Sequence, residues 1–255
     1  QIDGALRLLV LLQRRRGALL TDEPGLGKTL IAQLVTALLV HACIKRRWAL
    51  EASTDKALAP VRVAILAPAR VLGKGSASEE GGTQWHGYAT EIRNAVRALL
   101  QADPEHTAER MRWAEDTHLI LRPMTNQSLS RKVVSKEPEA TPQSYVIGDL
   151  QHLSESEVVV LDEAHNFRNG HSTGTRILRF CLAMPTPGER SWRAAEKALS
   201  TPSQEALFDP EPDQAPDPDA PGRRILLLTA TPFNNRIDDV RTQLGHFAKA
   251  FDWHF

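Results

Sequence analysis

Between residues 17 and 44 the chain passes from a short apolar run (Gly17 to Thr21) through a glycine-rich turn into a long apolar helical run (Leu30 to Ile44). The turn reads Asp22-Glu23-Pro24-Gly25-Leu26-Gly27-Lys28-Thr29. Strand, glycine turn, then helix start is the geometry that cradles a phosphate chain. It leaves backbone N–H groups pointing outward at a helix N-terminus, where the helix dipole favours an anion. Gly25 and Gly27 allow a phosphate chain to approach the backbone closely. Lys28 is then placed to reach the terminal phosphates, and the Thr29 hydroxyl to ligate Mg²⁺. The common form of this pattern has glycine where this chain has Asp22, so an ordinary helix start with a glycine turn is the competing reading.

Two further runs share the same grammar. Residues 158–165 read Val-Val-Val-Leu-Asp-Glu-Ala-His. The apolar part reads as a buried parallel strand. Asp162 and Glu163 then fall at its carboxyl end, where open α/β sheets bind ligands. One carboxylate there can hold the Mg²⁺ water shell, and a second can orient an attacking water. Residues 225–232, Ile-Leu-Leu-Leu-Thr-Ala-Thr-Pro, form a third apolar strand ending in small hydroxyl residues. Taken singly, an acidic pair after a strand is a solvated loop. Three strand-end motifs on one chain point to a shared site.

Alternation of apolar runs with helical stretches predicts strands at Ala18–Leu20, Val61–Ala67, Leu119–Arg122, Val158–Leu161 and Arg224–Leu228. Helices are predicted at 4–15, 28–44, 85–101, 105–115, 173–183, 190–199 and 236–250. This order predicts an α/β fold with a mostly parallel central sheet covered on both faces. Residues 49–60, 73–84 and 131–144 read as loops, and 201–222, rich in Pro and Asp, as a mobile acidic insertion acting as a spacer or a gate. With 255 residues and 42% hydrophobic content, one sizeable domain is expected.

The 31 basic and 31 acidic side chains cancel, so the chain as a whole has no electrostatic signature of nucleic-acid binding, although local patches matter more than the sum. Arg14 to Arg16 and Lys45 to Arg47 read first as solvated helix ends. Two cysteines, Cys43 and Cys181, are too few for a disulfide framework and suit a reducing compartment. The nine histidines show no zinc spacing. The run Leu30 to Ile44 is too short to span a bilayer, and Gly4 to Leu12 lacks a signal-peptide pattern. A start at Gln1 rather than Met suggests a fragment of a longer protein.

With these residues in view, the chain resembles superfamily 2 helicases and translocases. Asp22 to Thr29, Asp162-Glu163-Ala164-His165 and Thr229-Ala230-Thr231-Pro232 look like motifs I, II and III of that superfamily. Asp at the first glycine position is similar to its Swi/Snf-like branch. Ile65 to Leu72 with Trp85 downstream, Asn166 to Asn169, and Phe233-Asn234-Asn235 are also similar to that branch.

The resemblance implies a RecA-like P-loop NTPase lobe, a three-layer sandwich over residues 1–255, with a second lobe beyond Phe255 that carries the arginine fingers. It implies ATP held by Gln1 and by Asp22, Glu23, Pro24, Gly25, Leu26, Gly27, Lys28 and Thr29, with Gln1 reading adenine. It implies Mg²⁺ on Thr29 and Asp162, and Glu163 as the residue that activates water. His165 would couple the nucleotide site to Thr229 or Thr231, or else only cap the strand end. Arg70, Thr125 and Asn126 would lie along a nucleic-acid backbone.

The activity implied is ATP-driven movement along double-stranded DNA, in a cytoplasmic and, from the Ala- and Arg-rich composition, bacterial setting of repair, restriction or defence. An RNA or single-strand helicase with the same motor is a second reading. A non-hydrolysing, ATP-gated scaffold is a third, and the presence of Lys28, Thr29, Asp162 and Glu163 together weighs against it.

Overall fold

The computed structural model describes residues 2–21, 25, 27–54, 58–69, 71–72, 84–104, 108–129, 143–191, 222–231 and 237–246. Five strands form one sheet: β1 (Gly17–Thr21), β2 (Val61–Ala67), β3 (Leu119–Thr125), β4 (Val158–Asp162) and β5 (Arg224–Thr229). Every pairing is parallel, and the strand order is β1-β5-β4-β2-β3. The helices are α1 (Ile2–Arg15), α2 (Lys28–Thr54), α3 (Gln84–Ala102), α4 (Ala108–Met111), α5 (Gln143–Glu155), α6 (Thr173–Ala183) and α7 (Ile237–Leu244). The chain is thus α/β with an all-parallel sheet.

The sheet has two apolar faces because its strands are apolar at successive positions, not alternate ones. Val63, Ile65, Val158, Val160, Leu226 and Leu228 face one core, shared with α1, α2 and α3. Ala64, Leu66, Val159, Leu161, Ile225 and Leu227 face a second core, shared with α5 and α6. Successive residues of one strand therefore serve opposite layers, as the period of two requires. Pro123 cannot donate to a ladder, and β3 accordingly stands at the end of the sheet, paired only with β2.

The five strands run where the apolar runs predict them. Two helical regions differ. Helix α2 does not stop at Ile44 but continues to Thr54, through residues expected as a loop. Lys45, Arg46 and Arg47 are therefore not a solvated helix end. Arg47 is 4% exposed, donates to the Ala59 carbonyl at 2.7 Å, and is paired with the buried Glu157 carboxylate. Its long stem and bidentate head let a charged residue serve a buried position. Helix α5 occupies a stretch for which no helix is predicted, because its apolar positions are few and Gly148 interrupts them.

Within the expected helix at 105–115, the described residues form α4 and a 3₁₀ turn, Arg112–Ala114, whose Trp113 is fully buried. Helix α2 is long and apolar enough to cross a membrane by length and composition alone, contrary to the shorter run expected. Here it lies between α1 and α3 with Ala32, Val35, Val40, Cys43 and Ile44 buried. The acidic insertion at 201–222 lies, apart from Gly222, outside the described residues.

At the amino ends of β4 and β5 the core is polar. Arg223 donates to the carbonyls of Ser156 at 2.9 Å and Cys181 at 3.0 Å, and also to those of Ser154 and Leu182. It thereby ties the ends of α5 and α6 to the start of β5. Burial lowers the pKa of Arg223 and of Arg224 to about 10, which leaves both cationic at neutral pH. Glu157 is the carboxylate enclosed with them. Removing one partner of a buried pair strands the other charge, at about 3–5 kcal/mol. Glu157→Ala should therefore lower the unfolding free energy by about that amount in urea denaturation, whereas Glu155→Ala, at a pair with Arg62 whose side chains are 21% and 20% exposed, should cost less, because the stranded Arg62 keeps access to water.

Candidate nucleotide-binding site

The site is assembled at the carboxyl edge of the sheet by strand order. Strand β5 lies between β1 and β4, with Thr21 beside Thr229 and Leu228 beside Asp162. Three chain segments far apart in sequence thus end side by side. Adjacent strands are about 4.8 Å apart, so the ends of β1 and β4 stand about 10 Å apart.

From β1 the chain turns through Gly25 (φ 86°) and Gly27 (φ 83°). Both lie in the left-handed region that glycine enters freely and other residues enter at about 1–2 kcal/mol. Helix α2 opens at Lys28, and its first turn closes with Ile31 N donating to the Gly27 carbonyl at 3.0 Å. Lys28 and Thr29 are half-buried on this turn. No acidic side chain lies in the first turn to neutralise the helix N-terminus. Asp22, Glu23, Pro24 and Leu26 of the turn, together with Gln1 and Arg70, lie outside the described residues.

At the end of β4 the Asp162 carboxylate accepts from Glu163 N at 2.9 Å. Glu163 itself has φ 53° and ψ 51°, a left-handed conformation on a residue with a side chain. Such a conformation costs of order 1–3 kcal/mol and persists only where the surroundings impose it. Here Asn166 imposes it: its backbone N and its Nδ2 both donate to the Glu163 carbonyl, at 3.0 and 2.9 Å. The following 3₁₀ turn, Ala164–Phe167, is anchored by buried Ala164 and Phe167 and presents His165 on its exposed side.

His165 Nδ1 lies 3.2 Å from Glu163 Oε2 and 3.3 Å from Thr229 Oγ1. An ionised carboxylate only accepts, so Nδ1 carries the hydrogen and shares it between the two oxygens. Thr229 Oγ1 also accepts from Thr231 N at 3.2 Å. A continuous chain of contacts therefore runs from Glu163 through His165 to Thr229 and Thr231. Of the two partners considered for His165, the structure places Thr229 against it.

Asn126, expected along a nucleic-acid backbone, is buried just past the end of β3. It is 5% exposed, and its Nδ2 donates to the Asp162 carbonyl at 3.2 Å. It fastens the end of β3 to the end of β4 and so positions Asp162. Thr125, half-buried, ends β3 beside Ala67 of β2. The signal for Asn126 was available in sequence: it directly follows an apolar strand, at the same edge as the other motifs.

Behind the 3₁₀ turn, His246 packs edge-on against Phe167, with ring centroids 6.5 Å apart. Burial first, and then the nearby Arg179 cation, push its pKa down to about 4. His152, whose Nε2 sits 3.0 Å from the Val63 carbonyl, is lowered by burial as well.

Asn126→Leu removes one donor from the Asp162 carbonyl and should cost about 1–3 kcal/mol in thermal or chemical denaturation. A second outcome concerns pH. His246 is neutral in the fold, so the unfolded chain binds more protons as pH falls through about 6.5, and stability is lost from there down to about pH 4. Between pH 7 and pH 5, His246→Phe should lose about 2 kcal/mol less stability than the unaltered chain, read from urea titrations at both values.

Comparison with known proteins finds no family model and no curated relative that matches this chain. Lys28, Asp162, Glu163, His165 and Thr229 lie at one edge of the sheet.

Proposed function

We propose that this chain is the ATP-binding, RecA-like motor lobe of a nucleic-acid-dependent ATPase, of the Swi/Snf-like superfamily 2 kind, acting on double-stranded DNA. The observation that carries this reading is the strand order. A glycine turn ending in Lys28-Thr29 and an acidic pair on β4 flank a strand ending in hydroxyl residues, and His165 bridges the last two.

The residues present fit a nucleotide with Mg²⁺. Gly25 and Gly27, both with positive φ, add no side chain of their own to the turn, and Lys28 supplies the cation. Among the described residues no three His, Cys, Asp or Glu side chains converge on a metal. That suits Mg²⁺, which is usually held by one or two carboxylates with the rest of its shell from water and phosphate oxygens. Thr29 and Asp162 would hold it, and when bound it would neutralise charge on the terminal phosphates.

Glu163 would take the proton of the attacking water. His165 holds the Glu163 carboxylate on one side and the Thr229 hydroxyl on the other, so movement of either strand end reorients the base. A second lobe beyond Phe255 would supply the stabilising arginines, and on this reading the chain alone binds ATP but turns it over slowly. The setting proposed is a bacterial cytoplasm.

The test is ATP hydrolysis by the full-length parent with no nucleic acid, single-stranded DNA, duplex DNA or RNA. Duplex DNA should stimulate turnover, and Glu163→Gln should abolish it, by about 10²-fold or more. Stimulation confined to RNA or single strands would assign the motor to a helicase instead. ATP binding without turnover under every condition would leave a gated scaffold.

A further inference from the structure

Beyond the strand-end site, an open groove of about 670 Å³ lies between residues 168–171, α6 and α7. Arg168, His171, Arg179, Asn169 and Thr242 line it, with Asp239 as its one acidic member among the described lining residues. Arg179 is exposed, and its guanidinium reaches from α6 to the Thr242 carbonyl on α7 at 3.4 Å. That long bond occupies one of its five N–H groups. Gly170 forms the floor: a Cβ there would stand 3.7 Å from Arg179 Nη1 and from Thr242 Oγ1. Small floor, cationic walls and neutral donors make a place for an anion.

We propose that this groove binds the phosphodiester backbone of a nucleic acid, through Arg168 and Arg179, as a contact separate from the strand-end motifs. The proposal rests on the motor reading above. Its second support is the character of the lining. No Phe, Tyr, Trp or aliphatic side chain lines the groove among its described residues, so apart from the His171 ring it offers no platform for base stacking, and it offers no apolar anchor for a peptide. Guanidinium forks with His, Asn and Thr beside them are the donor set that phosphate oxygens take. Its third support is position. Arg168 ends the 3₁₀ turn that carries His165, with Arg168 N donating to the His165 carbonyl at 3.2 Å. A strand lying in the groove therefore touches the segment that holds Glu163.

The experiment uses the chain itself with a fluorescein-labelled duplex of about 20 base pairs, read by anisotropy over a range of salt. Binding of a fluorescent ATP analogue is measured in parallel, with Lys28→Ala as its control. Arg179→Ala and Arg168→Ala should each weaken duplex binding about five- to tenfold and reduce the salt slope by about one, with the analogue bound as before. Arg179→Glu, at an exposed position with little risk to folding, should weaken binding further. Unchanged duplex affinity in all three variants would overturn the proposal. So would competition by polyglutamate stronger than by unlabelled duplex, which would assign the groove to an acidic protein segment. No duplex binding by the unaltered chain would also overturn it, and Lys28-dependent binding of the analogue would then show that the nucleotide site stands without it.

Discussion

Everything in this molecule depends on the position of β5 between β1 and β4 in one parallel ladder. Parallel strands cannot be joined by tight turns, so each connection crosses a face of the sheet and returns the chain to the amino edge. The carboxyl ends of all strands then collect at one edge. Because β5 pairs with both β1 and β4, the glycine turn and the acidic pair are held about two strand spacings apart, roughly 10 Å. The hydroxyl residues of β5 stand between them. Were β4 to pair with β1 directly, His165 would have no Thr229 to reach.

The two edges of the sheet are built on opposite principles. At the amino edge, charge is enclosed and satisfied: Arg47 with Glu157, and Arg223 against four carbonyls. At the carboxyl edge, strain and shared hydrogens accumulate. Glu163 is held in a left-handed conformation by Asn166, and one hydrogen on His165 serves two oxygens. A rigid edge and a strained one are what a scaffold needs if small movements at one end are to be felt as reorientation of a few side chains.

Much of the fold was legible in the chain. The apolar strand runs located the five strands because a sheet buried on both faces requires continuous apolar sequence, and few other elements of that length do. Pro123, just past the run expected to end at Arg122, lies within β3, an edge strand, where its missing N–H costs no ladder bond. Less legible were α5 and the last third of α2. Their residues have weak helical periodicity, and what holds them is tertiary: His152 packed on the Val63 carbonyl in α5, and Arg47 on Glu157 in α2. Local propensity is a weak prior where packing decides.

The candidate site divides along the same line. By itself the sequence determined which chemical groups are present and that each follows an apolar strand: Lys28 and Thr29 after a glycine turn, Asp162 and Glu163 after β4, Thr229 at the end of β5. Those follow from the order of residues along the chain, and the resemblance to superfamily 2 motors rests on that order. Only the tertiary structure decided which groups meet. It set Thr229 rather than another hydroxyl against His165, turned Glu163 into a left-handed conformation, and buried Asn126 under Asp162. It also brought Arg168 and Arg179 to one groove. The physical reason is that strand order and helix packing are choices among long-range pairings, and no local run of residues records which neighbour a strand will take.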